Sequence, residues 1–472
     1  MTSASGILNP VWSGTRVAGA TSDEAVLSAL LRVEAAWGGV LTEHGLASAD
    51  SAERLQSISR DPARAGITPE PLAEAAVGGG NPVIPLLAAL RTALRETDTD
   101  DDALHRSATS QDVLDTALVL ILREASGIIL TDLRRAAAAL AQLSEDHRET
   151  LCVARTLTQP ALPSTMGLRT AGWLDGVTHS ANRLQTAYAA LQLQWGGAAG
   201  TQAALVDLTA ATGATASPTP AELTDRLAAA LHVPQMDRPW HTQRQSILEL
   251  ASAMAAVLAA LGKAAADVLT LQRPEIAELR EPGGAHRGGS SAMPQKRNPV
   301  LSTLIRSAAL SGPGALSALH HAAADAVDER PDGAWHAEWP QLMELVRLTG
   351  GAAARAAELF EGLEVLPEAA AENLTASGDG LLSERILSQL GPRFPGGPAA
   401  LKRTLTEASR GGVPLRRALE DGLGASAETT AELGHLLDQL LDPRLYLGRS
   451  GDFLDAALIR ARPFIDLGSG SV

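Results

Sequence analysis

The chain has one cysteine, Cys152, among 472 residues. A disulfide framework or a cysteine-based zinc site therefore cannot form within one chain, which fits a reducing cytoplasm. Aromatic residues are scarce, at 3%, and runs of β-branched residues are few. There is no βαβ pattern and no GxGxxG following a strand, which disfavours a nucleotide-binding α/β domain. A basic stripe is also missing: 39 basic and 54 acidic residues leave a net charge of −15, which argues against a nucleic-acid partner. The opening MTSASGILNP has neither the basic region nor the apolar core of a signal peptide. The apolar stretch around residues 113–130 is interrupted by Asp115, Arg123 and Glu124, too often for a membrane span. The expectation is a soluble cytoplasmic protein with no membrane partner.

What is abundant is Ala and Leu, within a hydrophobic share of 45%, and this composition favours helix. The fold class expected is all-α. Residues 1–110 hold short helical patterns broken by Pro and Gly, including the sharp turn GGGNP at 78–82. Residues 111–365 change to long helices. In the clearest, about 245–272, Ile247, Met254, Leu261 and Val268 recur every seven residues, as do Leu250, Val257, Ala264 and Leu271. Such a heptad seam needs partner helices along its whole length. Similar patterns cover about 113–143, 165–193 and 299–325, and four or five helices of this kind make an elongated bundle. Small Ala-rich seams allow close packing, and apolar residues on more than one face would suit pairing with further copies of the chain, so an oligomer is expected. Residues 366–472 form a third region, broken by GPRFPGG at 391–397, with a GSGSV tail expected to be disordered.

The chemistry concentrates in GSSAMPQKRNP, residues 289–299. Ser290 and Ser291 supply hydroxyls, Lys296 a cation and Asn298 an amide, with Met293 between them. Asn298 before Pro299 reads as a helix N-cap with Pro at the first helical position. The free N–H groups of such a helix end favour a developing oxyanion. Ser290 can act as a base only where cations and N–H dipoles stabilise its alkoxide. The preceding EPGGAHRGG, 281–289, has the glycine content of a lid. The plain alternative, a Gly/Ser surface loop, leaves Met293, Pro294, Lys296, Asn298 and Pro299 unexplained as a set.

Three further clusters stand before long helical patterns. HRSATSQD (105–112) offers Thr109 and Ser110 at a helix start, where a carboxylate could bind or where Ser110 or Asp112 could simply cap. ARTLTQPALPSTMG (154–167) carries Thr158 and Gln159, and reads most simply as a helix lead-in. Arg155 in it is either a substrate cation or a structural ion-pair partner. PWHTQR (239–244) brings Gln243 and Arg244, the latter able to grip a carboxylate bidentately. His241 beside them is either a proton carrier or a local hydrogen-bonding group.

These four clusters, in this order, resemble the fumarase/aspartase superfamily, whose signature is GSSxMPxKxNP. TSDEAVLSALLRVEAAW (21–37), GGNPVIPLLAALR (79–91), WGGAAGT (195–201), ERPDGAWHAEW (329–339) and LDPRLYLG (441–448) extend the resemblance over nearly the whole chain. GGAAGT, PWHTQR and GAWHAEW look most like the bacterial 3-carboxy-cis,cis-muconate cycloisomerases. The resemblance implies a three-domain all-α fold with a central long-helix bundle (1–110, 111–365 and 366–472). It also implies a homotetramer with shared active sites, and no metal or other cofactor. Carried onto this chain, Ser290 would be the general base, taking the proton next to a carboxylate of a small di- or tricarboxylate. Lys296 and Asn298 would hold the aci-carboxylate. Thr109, Ser110, Thr158, Gln159, Gln243, Ser291 and Met293 would line the substrate, joined by His105, Arg244 and Arg330.

The activity implied is 3-carboxymuconate lactonisation. The alternatives are β-elimination from a substituted succinate, nitro-, amino- or N-substituted, releasing fumarate, and a non-catalytic binding protein on the same scaffold. Four departures bear on the substrate. Leu157 stands where many relatives carry histidine, Ser107 where glycine is usual, Gln245 where Asp usually follows PWHTQR, and RFPGGP (393–398) where the family tends to have a histidine-containing helix.

Overall fold

Five long helices carry the fold in the computed structural model, which describes residues 6–211, 217–284, 287–424 and 430–467. They are α1 (Ser110–Asp146), α2 (Met166–Ala189), α3 (Gln245–Leu271), α4 (Val300–Ala324) and α5 (Gly333–Glu361). Four follow the sequence periodicity. The fifth, α5, was hidden by Pro340, which falls inside it. In α3 all eight heptad positions are buried, from Ile247 to Leu271. Beside that seam, α4 comes close to α3 at two glycines. A Cβ on Gly262 would meet that of Ala309 at 2.4 Å, and one on Gly312 would meet Leu258 at 2.4 Å. Helix α1 is buried all round from Gln111 to Leu122, as a helix enclosed by others must be.

The described chain forms two compact units, each assembled from three stretches. One holds residues 1–133, 179–262 and 304–355; the other holds 134–178, 263–303 and 356–472. In the first, helix Asp23–Glu43 packs on helices Ala49–Arg60 and Pro220–Leu231. In the second, Leu382, Ile386, Leu390, Phe394, Leu401, Leu405 and Leu419 form a core of their own around the short C-terminal helices. Helices Asp23–Glu43 and α3 are long and apolar enough by composition to cross a membrane, but the apolar seam of α3 faces protein. The GSGSV tail lies outside the described residues.

The stretch 154–167 departs from the expected helix lead-in. It belongs to an antiparallel hairpin, β1 (Leu151–Thr156) and β2 (Gln159–Thr165). Leu157 and Thr158 form its two-residue turn, both at positive φ, 48° and 72°, as a tight hairpin with the native strand twist requires. Pro160 and Pro163 disguised β2. In a two-stranded ribbon each strand has a free edge, so a missing N–H costs nothing there.

Candidate active site

The signature loop belongs to the second unit. Ser290 is half-buried, and its Oγ accepts the backbone N–H of Ala292 at 3.3 Å and of Met293 at 3.1 Å. Two N–H dipoles on one hydroxyl oxygen stabilise negative charge on it. The base of the loop is pinned by Asn298, which donates its N–H to Gly288 O at 2.8 Å. Gly288 sits at φ +72°, and a Cβ there would lie 2.6 Å from Asn298 O, so glycine is required. Lys296, Ser291 and Met293 are exposed and Asn298 is half-buried. A cavity of about 170 Å³ opens at this base, lined in part by Gln272, Glu281, Arg297 and Asn298. Nearby cations are mostly committed: Arg287 pairs with Glu358, and Arg280 with Glu364 at 2.9 Å. Lys296 and Arg297 have no carboxylate partner among the described residues.

The helix end behind the loop differs from expectation. Pro299, not Asn298, gives the first helical carbonyl, received by Thr303 N–H at 3.1 Å. Two of the free N–H groups, those of Leu301 and Ser302, are taken by Glu281, a buried carboxylate from before the loop. It accepts Leu301 N–H at 2.8 Å, Ser302 N–H at 3.1 Å and Ser302 Oγ–H at 2.9 Å. The positive tip of α4 is thus already matched by protein charge. No local sequence signal marks Glu281, because it caps from about twenty residues away.

Thr158 and Gln159 stand exposed at the hairpin tip, where Gln159 donates to Thr158 Oγ1 at 3.3 Å. Among the described residues no hydrogen bond joins this tip to the serine loop. Arg155 is a structural ion-pair partner. It and Arg169 both grip the fully buried Glu278, with Arg155 Nη2 at 2.6 Å from Oε1.

The first unit holds the other two clusters. Helix α1 begins at Ser110, and the N–H of Thr109 reaches forward to Asp112 Oδ2 at 3.0 Å, half of a capping box. Thr109 Oγ1 does not complete the box. It accepts from Arg330 Nη2 at 2.5 Å, and the same nitrogen donates to Ala198 O at 3.0 Å. Arg330 is exposed and has no carboxylate partner among the described residues. Thr109, Ser110 and Arg330 thus share one corner, with a helix start and a free cation. His105 has a buried carboxylate as its partner. Its Nδ1 lies 2.7 Å from the buried Glu34, which also accepts its N–H.

In PWHTQR the neighbouring side chains part company. Gln243 is exposed and Arg244 is 3% exposed. The expectation that Arg244 grips a substrate carboxylate is corrected here, because its guanidinium is fully committed within the protein. It holds Asp115 bidentately at 2.7 and 3.0 Å and Glu338 at 2.5 and 3.0 Å. Its face lies over Trp240 at 4.7 Å. Burial works against its charge, but Asp115 and Glu338 outweigh burial and raise its pKa above the ordinary arginine value. His241 is buried too, its Nε2 2.8 Å from Asp112 Oδ1, so it serves a local hydrogen bond. Among the described residues, no group of three or more His, Cys, Asp or Glu could hold a metal ion.

Comparison with known proteins identifies the family. A family profile described as Lyase matches residues 81–313. The chain is 40% identical over 460 residues to a nitrosuccinate lyase of Streptomyces davaonensis, covering 96% of this chain and 94% of that one. It is 39% identical to a 3-carboxy-cis,cis-muconate cycloisomerase of Pseudomonas aeruginosa, covering 93% and 92%. The crystal structure of the 3-carboxy-cis,cis-muconate lactonizing enzyme of Pseudomonas putida superposes with a TM-score of 0.86 at 32% identity, covering 97% of this chain and 99% of the other. With identity at this level over nearly the full length of such relatives, the chain belongs to the fumarase/aspartase superfamily and is an enzyme of that superfamily.

Proposed function

We propose that this enzyme moves a proton at the carbon next to a carboxylate of a small polycarboxylate, without a cofactor, through an aci-carboxylate intermediate, and that Ser290 is the base. The observation that carries this reading is the pair of N–H groups on Ser290 Oγ. They lower the cost of an alkoxide where Lys296, without a carboxylate partner among the described residues, adds positive field. Asn298 and Lys296 hold the aci-carboxylate. Thr109, Ser110, Arg330, Thr158, Gln159, Gln243, Ser291 and Met293 contact the substrate. The three-domain division and a homotetramer whose subunits share active sites belong to the same proposal, as does a soluble cytoplasmic protein. Leu157, 95% exposed, and Leu310, 72% exposed, are the kind of apolar surface that further copies would cover.

The reaction we assign first is lactonisation of 3-carboxy-cis,cis-muconate. A substrate carboxylate oxygen bonds to a carbon of the conjugated system, and the adjacent carbon of the aci-carboxylate takes the proton of the Ser290 hydroxyl, the reverse of the abstraction in which Ser290 is the base; the alkoxide left behind is reprotonated from solvent. The 40% identity to a nitrosuccinate lyase favours a second reading. There Ser290 takes the proton next to a carboxylate, the carbon–nitrogen bond breaks, and nitrite departs with the electron pair, leaving fumarate. In both readings the added or departing group is a weakly basic anion that needs no proton, which suits a chain with Leu157 where relatives carry histidine. The test is absorbance with each substrate: conjugation falls on lactonisation and rises on fumarate release. Activity on 3-carboxymuconate supports the first reading, and activity on nitrosuccinate alone moves the assignment to the second. Ser290→Ala should cost at least about 1000-fold in kcat, roughly 4 kcal/mol of barrier; near-normal turnover removes Ser290 from the role.

A further inference from the structure

One carboxylate in the first unit accepts an unusual number of donors. Asp112 is fully buried. Its Oδ1 accepts Gly196 N–H at 2.7 Å and Gln194 Nε2 at 3.3 Å, and lies 2.8 Å from His241 Nε2. Its Oδ2 accepts Thr109 N–H at 3.0 Å and Gly197 N–H at 2.9 Å. Three chain segments far apart in sequence thus meet on one side chain. Gly196 has no room for a Cβ, which would lie 2.7 Å from Pro239, and Gly197 sits at φ +70°. The segment is therefore shaped to bring its N–H groups to this carboxylate.

The two groups held on Oδ2 flank the seat of Arg330. Asp112 fixes the N–H of Thr109, and Arg330 takes the hydroxyl of the same residue. Asp112 fixes the N–H of Gly197, and Arg330 takes the carbonyl of the next residue, Ala198. We propose that Asp112 is a positioning residue that builds the two-acceptor seat of Arg330, and so sets where that free guanidinium meets a substrate carboxylate. This rests on the reading of Arg330 as a substrate contact. An amide cannot replace Asp112: both oxygens face donors, so either orientation of Asn sets an NH₂ against N–H groups. A moved seat changes binding of the ground state as much as that of the transition state, so KM should move more than kcat.

The experiment is a double-mutant cycle on the full-length enzyme, with Arg330→Ala, Asp112→Asn and their combination, read as KM and kcat on whichever substrate proves active. Arg330→Ala should raise KM about tenfold or more. Asp112→Asn should raise it similarly with kcat within about fivefold, and the double variant should be no worse than Arg330→Ala within about twofold, because both changes remove one interaction. An unchanged KM in Arg330→Ala refutes Arg330 as a substrate contact. A raised KM there, combined with an additive double variant or an unchanged Asp112→Asn, refutes the seat. Should Asp112→Asn not fold, Thr109→Val removes the hydroxyl half of the seat and Thr109→Ser keeps it. Valine should reproduce the KM rise non-additively with Arg330→Ala and serine should reverse it; additivity of the valine change overturns the proposal.

Discussion

Replacing Gly288 with alanine probes the geometry of the serine loop at its narrowest point. The new Cβ would lie 2.6 Å from Asn298 O, where ordinary contact begins near 3.4 Å, so the two strands of the loop must part by about 0.8 Å. The residue must also keep φ near +72°, which costs an L-residue about 1–2 kcal/mol. Separating the strands stretches the Asn298 N–H to Gly288 O bond and moves Ser290 and Asn298 relative to each other. Misplacement of reacting groups by about 1 Å costs on the order of 100-fold in rate, or about 2.7 kcal/mol. A shift of 0.8 Å should therefore lower kcat/KM roughly 10- to 100-fold. Gly283→Ala, where a Cβ meets nothing within 4 Å, is the control and should stay within about twofold. Steady-state kinetics with a thermal melt on each variant decides the matter. Equal activities of the two variants, both folded, would show that the Gly288–Asn298 closure does not hold the loop in its working form.

Three other expectations concern the scaffold. Arg244→Met leaves Asp115 and Glu338 buried without their cation and should cost about 3–5 kcal/mol in chemical denaturation; an unshifted midpoint would mean that the cluster is solvated. Ser107 holds φ +58° and donates Oγ–H to Ala204 O at 3.0 Å. Both Ser107→Gly and Ser107→Ala lose that bond but only glycine relieves the backbone, so the alanine variant should be the less stable by about 1 kcal/mol. The reverse order would exclude strain at this turn. Cys152 is fully buried, and burial, which outweighs Arg169 nearby, pushes its thiol up to about 11. At pH 8 its thiolate fraction is about 100-fold below that of an ordinary thiol. A disulfide reagent should find no thiol in the native enzyme and one after denaturation, and rapid native reaction would contradict the packing.

The residues that were legible in the sequence are those whose signal is local. The α3 seam repeats every seven residues because one stripe faces partners, and all eight of its positions are buried. Serine, lysine and asparagine of the loop lie within nine residues of one another, so their fixed spacing could be read directly. What stayed hidden was set by distant partners or by proline. Pro340 conceals α5, and Pro160 and Pro163 conceal β2, because proline's local preference is against both helix interior and strand while its place in the fold tolerates it. Gln243 and Arg244 look equally suited to a substrate in sequence. Only the carboxylates of Asp115 and Glu338, from two other helices, show that the arginine is engaged. Asp112 reads as a simple cap, because four of its five donors come from residues other than its own helix start.

Glu281 changes where the positive field of the site must come from. A helix end with free N–H groups would have supplied about half a unit charge to a developing oxyanion. Here a carboxylate already occupies two of those groups and the Ser302 hydroxyl, three donors on its two oxygens. The N-terminus of α4 is therefore a fixed anchor for the loop rather than an anion site. Stabilising charge on Ser290 Oγ falls instead to the N–H groups of Ala292 and Met293, which point at that atom, and to Lys296, which no carboxylate of the described chain neutralises. This division of labour has a mechanical logic. The anchor holds the segment behind the loop at Glu281 and Ser302, the Gly288–Asn298 closure holds the base, and the span from Ser291 to Lys296 is left exposed beside the half-buried Ser290. An exposed lysine is strongly hydrated, and its field at Ser290 is weak while water surrounds it. Under the role proposed for Ser290, its hydroxyl gains that field only when substrate displaces the water, which would tie proton transfer to an occupied site.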